Sequence, residues 1–249
     1  MRKLYGLLAC LAVFLGAFLA NAPAASAATG IVSNGIGWTP FEFPTASPIP
    51  GAREDCTLGV VGTDSSGNKI AISAAHCVSQ DWNYKTDGAT VYRMAPTGPR
   101  QAIGTIAYRS ANATGYPVPA TSTDPNAYGV DFVVIKLNAD AGLSSNGPGA
   151  RIDGIGVANP GGVHCKDGVG TGVRCGFITD NTPPTRFYST ALSGGGDSGG
   201  PAFQNDTKLV GLVRGGGPFT YEYIKFSAVQ AEIAAQSNPV GKGLAVTNN

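Results

Sequence analysis

The stretch Gly195-Gly196-Asp197-Ser198-Gly199-Gly200-Pro201 sets one hydroxyl between glycines on both sides. Glycines there let the backbone turn tightly and let a substrate carbonyl come close, so that main-chain N–H groups can converge on one spot. Gly- and Ser-rich turns are also common in β proteins, so a nucleophilic Ser198 requires a base and a carboxylate elsewhere in the chain. His76 supplies the first in Ser73-Ala74-Ala75-His76-Cys77, directly after an apolar run, where small residues leave room for the ring. An imidazole with an ordinary pKa near 6.5 can take a serine proton and return it close to neutral pH. The other reading of His76 is a packed or surface side chain.

His164 is the only competing base, since the chain has two histidines, but it stands beside Cys165 in a Gly-rich segment with no strand leading into it. Both histidines precede Ser198. That order argues against the nucleophile elbow of α/β hydrolases, whose G-x-S-x-G pattern the same residues fit, because that fold takes its histidine from after the serine. A carboxylate must hold the second ring nitrogen, and Asp131 stands at the start of the apolar run Phe132 to Leu137, whereas Asp124, Asp140 and Asp153 read as solvated loop residues. The chain order is His76, Asp131, Ser198.

The elements that must carry these residues are strands. Low charge, 36 glycines and 17 prolines divide the sequence into short apolar segments with almost no helical periodicity, which predicts an antiparallel all-β protein. Thr57 to Val61 and Lys69 to Ser73 flank a turn-rich Thr63 to Asn68 and predict a hairpin. Further strands are expected at Phe132 to Leu137, Ile152 to Val157, Gly176 to Thr179, Phe187 to Ala191, Lys208 to Val213 and Tyr221 to Phe226. Ser227 to Gln236 reads as a short C-terminal helix with Ser227 as its cap. Asn138 to Gly149 is the expected crossing between lobes, and the Pro/Ala/Thr-rich Tyr116 to Asn126 is an expected surface loop.

Residues 1–27 read as a signal peptide: Arg2 and Lys3 precede an apolar run from Leu7 to Ala20 that ends in Ala25-Ser26-Ala27. The run is shorter than a membrane-spanning helix needs, and Cys10 comes too early in it to be a lipidation site. Cleavage before Ala28 leaves 222 of the 249 residues, enough for one large β domain or two lobes. The mature part has 15 basic and 16 acidic residues, and a net charge of −1 argues against nucleic acid and acidic membranes as partners. Four mature cysteines in an exported chain are expected to pair. Three pairings exist, and clustering favours Cys56 with Cys77 and Cys165 with Cys175.

Ser-Ala-Ala-His-Cys at 73–77, Asp-Phe-Val-Val-Ile-Lys-Leu at 131–137 and Gly-Asp-Ser-Gly-Gly-Pro at 196–201 together resemble the three signatures of chymotrypsin-like serine peptidases, in that family's order. The resemblance spans roughly residues 55 to 237, and the segment from Cys165 to Gly176 is similar to the bacterial, streptogrisin-like branch. It implies two antiparallel β-barrels, about 50–140 and 150–237 within a peptidase domain of 28–249, with the site between them. It also implies a monomeric secreted endopeptidase acting on polypeptides with no cofactor or metal. By the same resemblance, His76, Asp131 and Ser198 are the triad and the N–H groups of Gly196 and Ser198 form the oxyanion hole.

Several positions depart from the family. Gly194 stands where many relatives have a cysteine. Leu192 falls near the base of the substrate pocket, where a trypsin-like enzyme has an acid, so cleavage after Lys or Arg is not expected. Arg214, beside Gly215 and Gly216 in the same pocket, replaces a usual serine. It is expected to border the cleft and tune selectivity; pairing with Asp131 and pointing to solvent are the alternatives. Asp197 needs a cation, for which Lys166 is preferred over a new N-terminus at Ile31. Two rival readings remain: an inactive relative serving as a secreted binding module, and a metal site of His164, Cys165 and Cys175.

Overall fold

The computed structural model describes residues 29–46, 53, 55–79, 84–95, 97–110, 129–216 and 219–249. The expected signal peptide and the Tyr116 to Asn126 loop lie outside the described residues. β-Branched runs such as Lys69–Ser73 and Val133–Leu137 are buried almost throughout, as strands inside a barrel wall must be. The hairpin joining Val60–Thr63 to Lys69–Ser73 turns at Asp64, whose carboxylate accepts from the N–H groups of Ser66 and Asn68, both at 2.9 Å.

The expected strand Thr57 to Val61 is interrupted. At Gly59 an added Cβ would lie 2.3 Å from Leu212 Cδ2 and 2.5 Å from the Gly199 carbonyl, so the chain bends where only glycine fits. Cys56–Thr57 therefore pairs with Gly37–Thr39, while Val60–Thr63 pairs with Lys69–Ser73. The ring continues antiparallel through Val133–Leu137, Ala102–Arg109 and Thr90–Arg93 back to Gly37–Thr39, closing a six-stranded barrel. Ala245–Val246 adds to Val60–Thr63.

A second antiparallel ring runs Lys208–Gly216, Pro201–Gln204, Val163–Lys166, Arg174–Asp180, Arg186–Ser189 and Tyr221–Lys225, which pairs again with Lys208–Gly216. Two parallel pairs lie outside the rings, Ile31–Ser33 with Gly142–Ser144 and Gly154–Ile155 with Lys208–Leu209. Of the expected strand Ile152 to Val157 only those two residues pair.

Each ring encloses its own core, around Trp38 and Ile103 in the first and Phe187 and Tyr223 in the second. A third cluster lies between them, with Ile72, Phe132 and Val134 from one barrel against Phe203, Leu212 and Ile224 from the other. A fully buried side chain of this size contributes roughly 1.5–3 kcal/mol, so this cluster favours one orientation of the barrels. The α-helix Phe226–Ala235 covers it with Phe226, Val229 and Ile233. Lys225 occupies the N-cap position and no side chain caps the helix, which corrects the expectation for Ser227. Burial of one helix face, rather than capping, positions it.

Candidate active site

His76 sits in a short 3-10 helix, Ala75–Val78, that follows strand Lys69–Ser73 directly, and the Cys56–Cys77 disulfide ties that turn back to the barrel. Asp131 lies two residues ahead of strand Val133–Leu137, which pairs with Lys69–Ser73, so adjacent strands deliver both groups to one end of the barrel. Asp131 Oδ2 is 2.6 Å from His76 Nδ1, and Oδ1 accepts from the His76 backbone N–H at 2.9 Å. Burial alone would push this carboxyl up; the His76 ring, Arg214 and the backbone N–H together outweigh it and hold the group below the usual carboxylate range. An ionised Asp131 can only accept, so Nδ1 carries the proton and Nε2 is left with a lone pair.

Ser198 lies between two glycines in left-handed conformation, Gly196 at φ +92° and Gly199 at φ +78°. At Gly199 a Cβ would meet Ser73 Oγ at 2.0 Å and Ala74 N at 2.5 Å, so the serine turn rests on the residues that lead into His76. Thr57 extends the contact. Its N–H donates to the Ser198 carbonyl at 2.8 Å and its Oγ1 to the Gly196 carbonyl at 2.7 Å. The Asp197 carbonyl accepts from the Gly200 N–H at 2.9 Å, which fixes the peptide plane that carries the Ser198 N–H; among the described residues neither the Gly196 nor the Ser198 N–H has a protein acceptor. Thr57 had no recognisable signal in the sequence.

Between these glycines Asp197 turns inward and is fully buried. Its Oδ2 takes Lys166 Nζ at 2.6 Å, Thr171 Oγ1 at 2.7 Å and Gly194 N at 2.9 Å, and its Oδ1 takes the N–H groups of Gly170 and Thr171, both at 2.9 Å. Although burial opposes ionisation, these donors keep the Asp197 carboxyl below its ordinary range. Ile31, the other candidate source of a cation, is exposed and lies in the strand paired with Gly142–Ser144. The glycines of Gly168-Val169-Gly170 fit because added Cβ atoms at 168 and 170 would meet Asp197 Oδ1 at 2.5 and 2.9 Å.

Leu192 and Gly216 are both exposed, and a Cβ on Gly216 would strike the ring of its cross-strand partner Tyr221 at 2.2 Å. Arg214 turns inward. Its Nη1 is 2.9 Å from both carboxylate oxygens of Glu222, and its Nε lies 3.7 Å from Asp131 Oδ2. Glu222 carried no sequence signal of its own. Arg53 was also passed over; it pairs through two nitrogens with buried Asp55, both at 2.7 Å, and its Nε would be 3.0 Å from a Cβ on Gly196.

His164 occupies a different place, in the second core. Its ring meets Phe187 and Tyr223 edge-on, and Nε2 is 2.6 Å from Ser189 Oγ. Cys165 is joined to Cys175 by a disulfide, which leaves neither sulfur as a thiolate ligand. Burial pushes the His164 pKa down to about 4. The neutral ring therefore favours the folded state above about pH 6.5, and that contribution, about 3 kcal/mol in all, is lost as pH falls from there to 4. Chemical unfolding of His164→Phe is expected to show a flatter dependence on pH between 6.5 and 4 than the wild type; an unchanged slope would assign acid sensitivity to other groups.

No protein-family model matches the chain, and no curated protein matches it in sequence. Among solved structures it is similar to protease A of Thermobifida fusca (TM-score 0.57, 18% identity, covering 88% of this chain and 100% of that one). It is similar too to Nocardiopsis protease (TM-score 0.54, 19% identity, 82% and 96%) and to a glutamic-acid-specific serine protease (TM-score 0.54, 17% identity, 82% and 98%). The chain has the chymotrypsin-like double-barrel fold of these bacterial serine proteases.

Proposed function

We propose that the protein is a secreted serine endopeptidase that cleaves polypeptides through His76, Asp131 and Ser198. The observation that carries this reading is the buried Asp131 carboxylate at 2.6 Å from His76 Nδ1, set against a serine turn packed on the approach to the same histidine. In this reading Nε2 takes the Ser198 proton as Oγ attacks the scissile carbonyl. The resulting oxyanion is received by the N–H groups of Gly196 and Ser198. Nε2 then gives its proton to the leaving amine, the C–N bond breaks, and an acyl-Ser198 ester remains. Water, deprotonated by the same nitrogen, hydrolyses that ester and restores the serine. Asp131 stabilises the imidazolium formed in each half.

Lys166 holds Asp197, and with it the direction of the Gly196 and Ser198 N–H groups, without touching substrate. Leu192, Gly215 and Gly216 border the pocket for the residue before the cut bond, and the Tyr221 ring on Gly216 favours small or apolar side chains there. The Cys56–Cys77 and Cys165–Cys175 disulfides suit an extracellular enzyme, and the chemistry above calls on no group beyond the chain's own side chains and water.

Treatment of the secreted protein with a fluorophosphonate, followed by mapping of the labelled peptide, tests the reading. A single label on Ser198, together with release of peptides from an unfolded protein substrate, is expected. A protein that binds such substrates but neither labels nor cleaves them is a binding module.

A further inference from the structure

Among the described residues, Arg214 is a neighbour of Asp131 that can compete with His76 for it. Arg214 Nε lies 3.7 Å from Oδ2, the oxygen that receives the His76 ring. That is too long for a hydrogen bond, yet a shift of about 1 Å would bring a guanidinium edge onto the carboxylate, a geometry in which arginine binds bidentately. Arg214 is held back from the opposite side. Gly215 pairs with Glu222 across the two strands, and both Glu222 carboxylate oxygens lie 2.9 Å from Arg214 Nη1. Glu222 is fixed in turn by Arg186, whose Nη1 donates to Oε1 at 3.2 Å from the next strand of the barrel. The side chains of Asp131, Arg214, Glu222 and Arg186 are only 3, 11, 16 and 4% exposed, so water screens their mutual attraction weakly.

We propose that Glu222 is a positioning residue that acts through Arg214: it keeps the guanidinium off the triad carboxylate, so that Asp131 remains bound to His76. This rests on the triad reading above. Neutralising Glu222 removes the charge that balances Asp131 across Arg214, and the guanidinium then shifts toward Asp131 Oδ2. The imidazole loses the partner that fixes its tautomer and supports its charge.

The test compares Glu222→Gln, Arg214→Gln and the double variant in the full secreted protein. Glu222→Gln is expected to lower kcat about 10- to 100-fold with little change in KM, and adding Arg214→Gln is expected to recover most of that loss. A second readout needs no turnover. The His76 Nδ1 proton, hydrogen-bonded to a carboxylate, gives an NMR resonance far downfield, assigned by its loss in His76→Ala. It is expected to shift or vanish in Glu222→Gln and to return in the double variant. Wild-type kcat and an unmoved resonance in Glu222→Gln would overturn the proposal, as would a loss that Arg214→Gln does not recover. A wild type that shows the resonance but cleaves nothing defeats the peptidase reading, while the resonance still decides the role of Glu222. Should Glu222→Gln not fold, Glu222→Asp keeps the negative charge but draws it back from Arg214 by one methylene, and the same comparison with and without Arg214→Gln applies.

Discussion

Ser198→Ala is expected to reduce peptide hydrolysis by roughly 10⁴-fold or more, and His76→Ala by a similar factor, with folding and export unchanged. Neither side chain is part of a hydrophobic core; Ser198 is half-buried, and its backbone contacts to Thr57 survive the loss of Oγ. If the two act as one unit, the double variant is scarcely slower than either single one, because once the nucleophile is gone the base has no proton to take. Steady-state rates on a peptide substrate check this. Ser198→Ala hydrolysing at the wild-type rate would remove the assignment, and two losses that simply multiply would mean that the groups work separately.

Lys166→Met is expected to cost about 3–5 kcal/mol of stability, since both members of the pair are fully buried and removing one leaves the other charged without a partner. Activity is expected to fall further than stability alone explains, because Asp197 lies between the two residues whose N–H groups are proposed to receive the oxyanion. The sign of the pH effect separates this from an ordinary packing defect. In the wild type the Asp197 carboxyl is held below its unfolded value, so its stabilisation is complete above about pH 4 and is lost as pH falls through the folded value. Without Lys166 the carboxyl loses its strongest donor and ionises less readily in the fold, so the deficit of the variant should narrow as the pH is lowered. Urea unfolding at several pH values measures this; a deficit constant with pH would place the loss in packing.

The strands that sequence reading found are those with continuous β-branched character, Lys69–Ser73, Val133–Leu137 and Lys208–Gly216 among them. Not among them are Ala102–Arg109, which is eight residues long, Val163–Lys166, which carries His164, and the short Gly37–Thr39, Thr90–Arg93 and Pro201–Gln204; these hold a glycine, a proline or polar residues, and become strands because neighbours on both sides supply partners. The same division runs through the site. His76, Asp131 and Ser198 stand in local contexts that constrain them, and His76 and Asp131 meet at hydrogen-bonding distance. Thr57 and Glu222 do not stand out locally, because what each does depends on a residue far away in the chain: Thr57 reaches Gly196, and Glu222 reaches Arg214 across a strand pair.

Ala245 pairs with Thr63 and Val246 with Gly62, and Thr247 donates to the Val61 carbonyl at 3.1 Å. Residues 245–246 therefore finish a sheet whose other strands all come from residues 37–137. Without them, Val60–Thr63 presents an open row of backbone donors and acceptors on an otherwise closed barrel. Such a row is a template for strand addition by another chain. Residues 245–247 thus plug that edge against sticking between copies, and a variant lacking them is expected to self-associate more readily than the 249-residue chain.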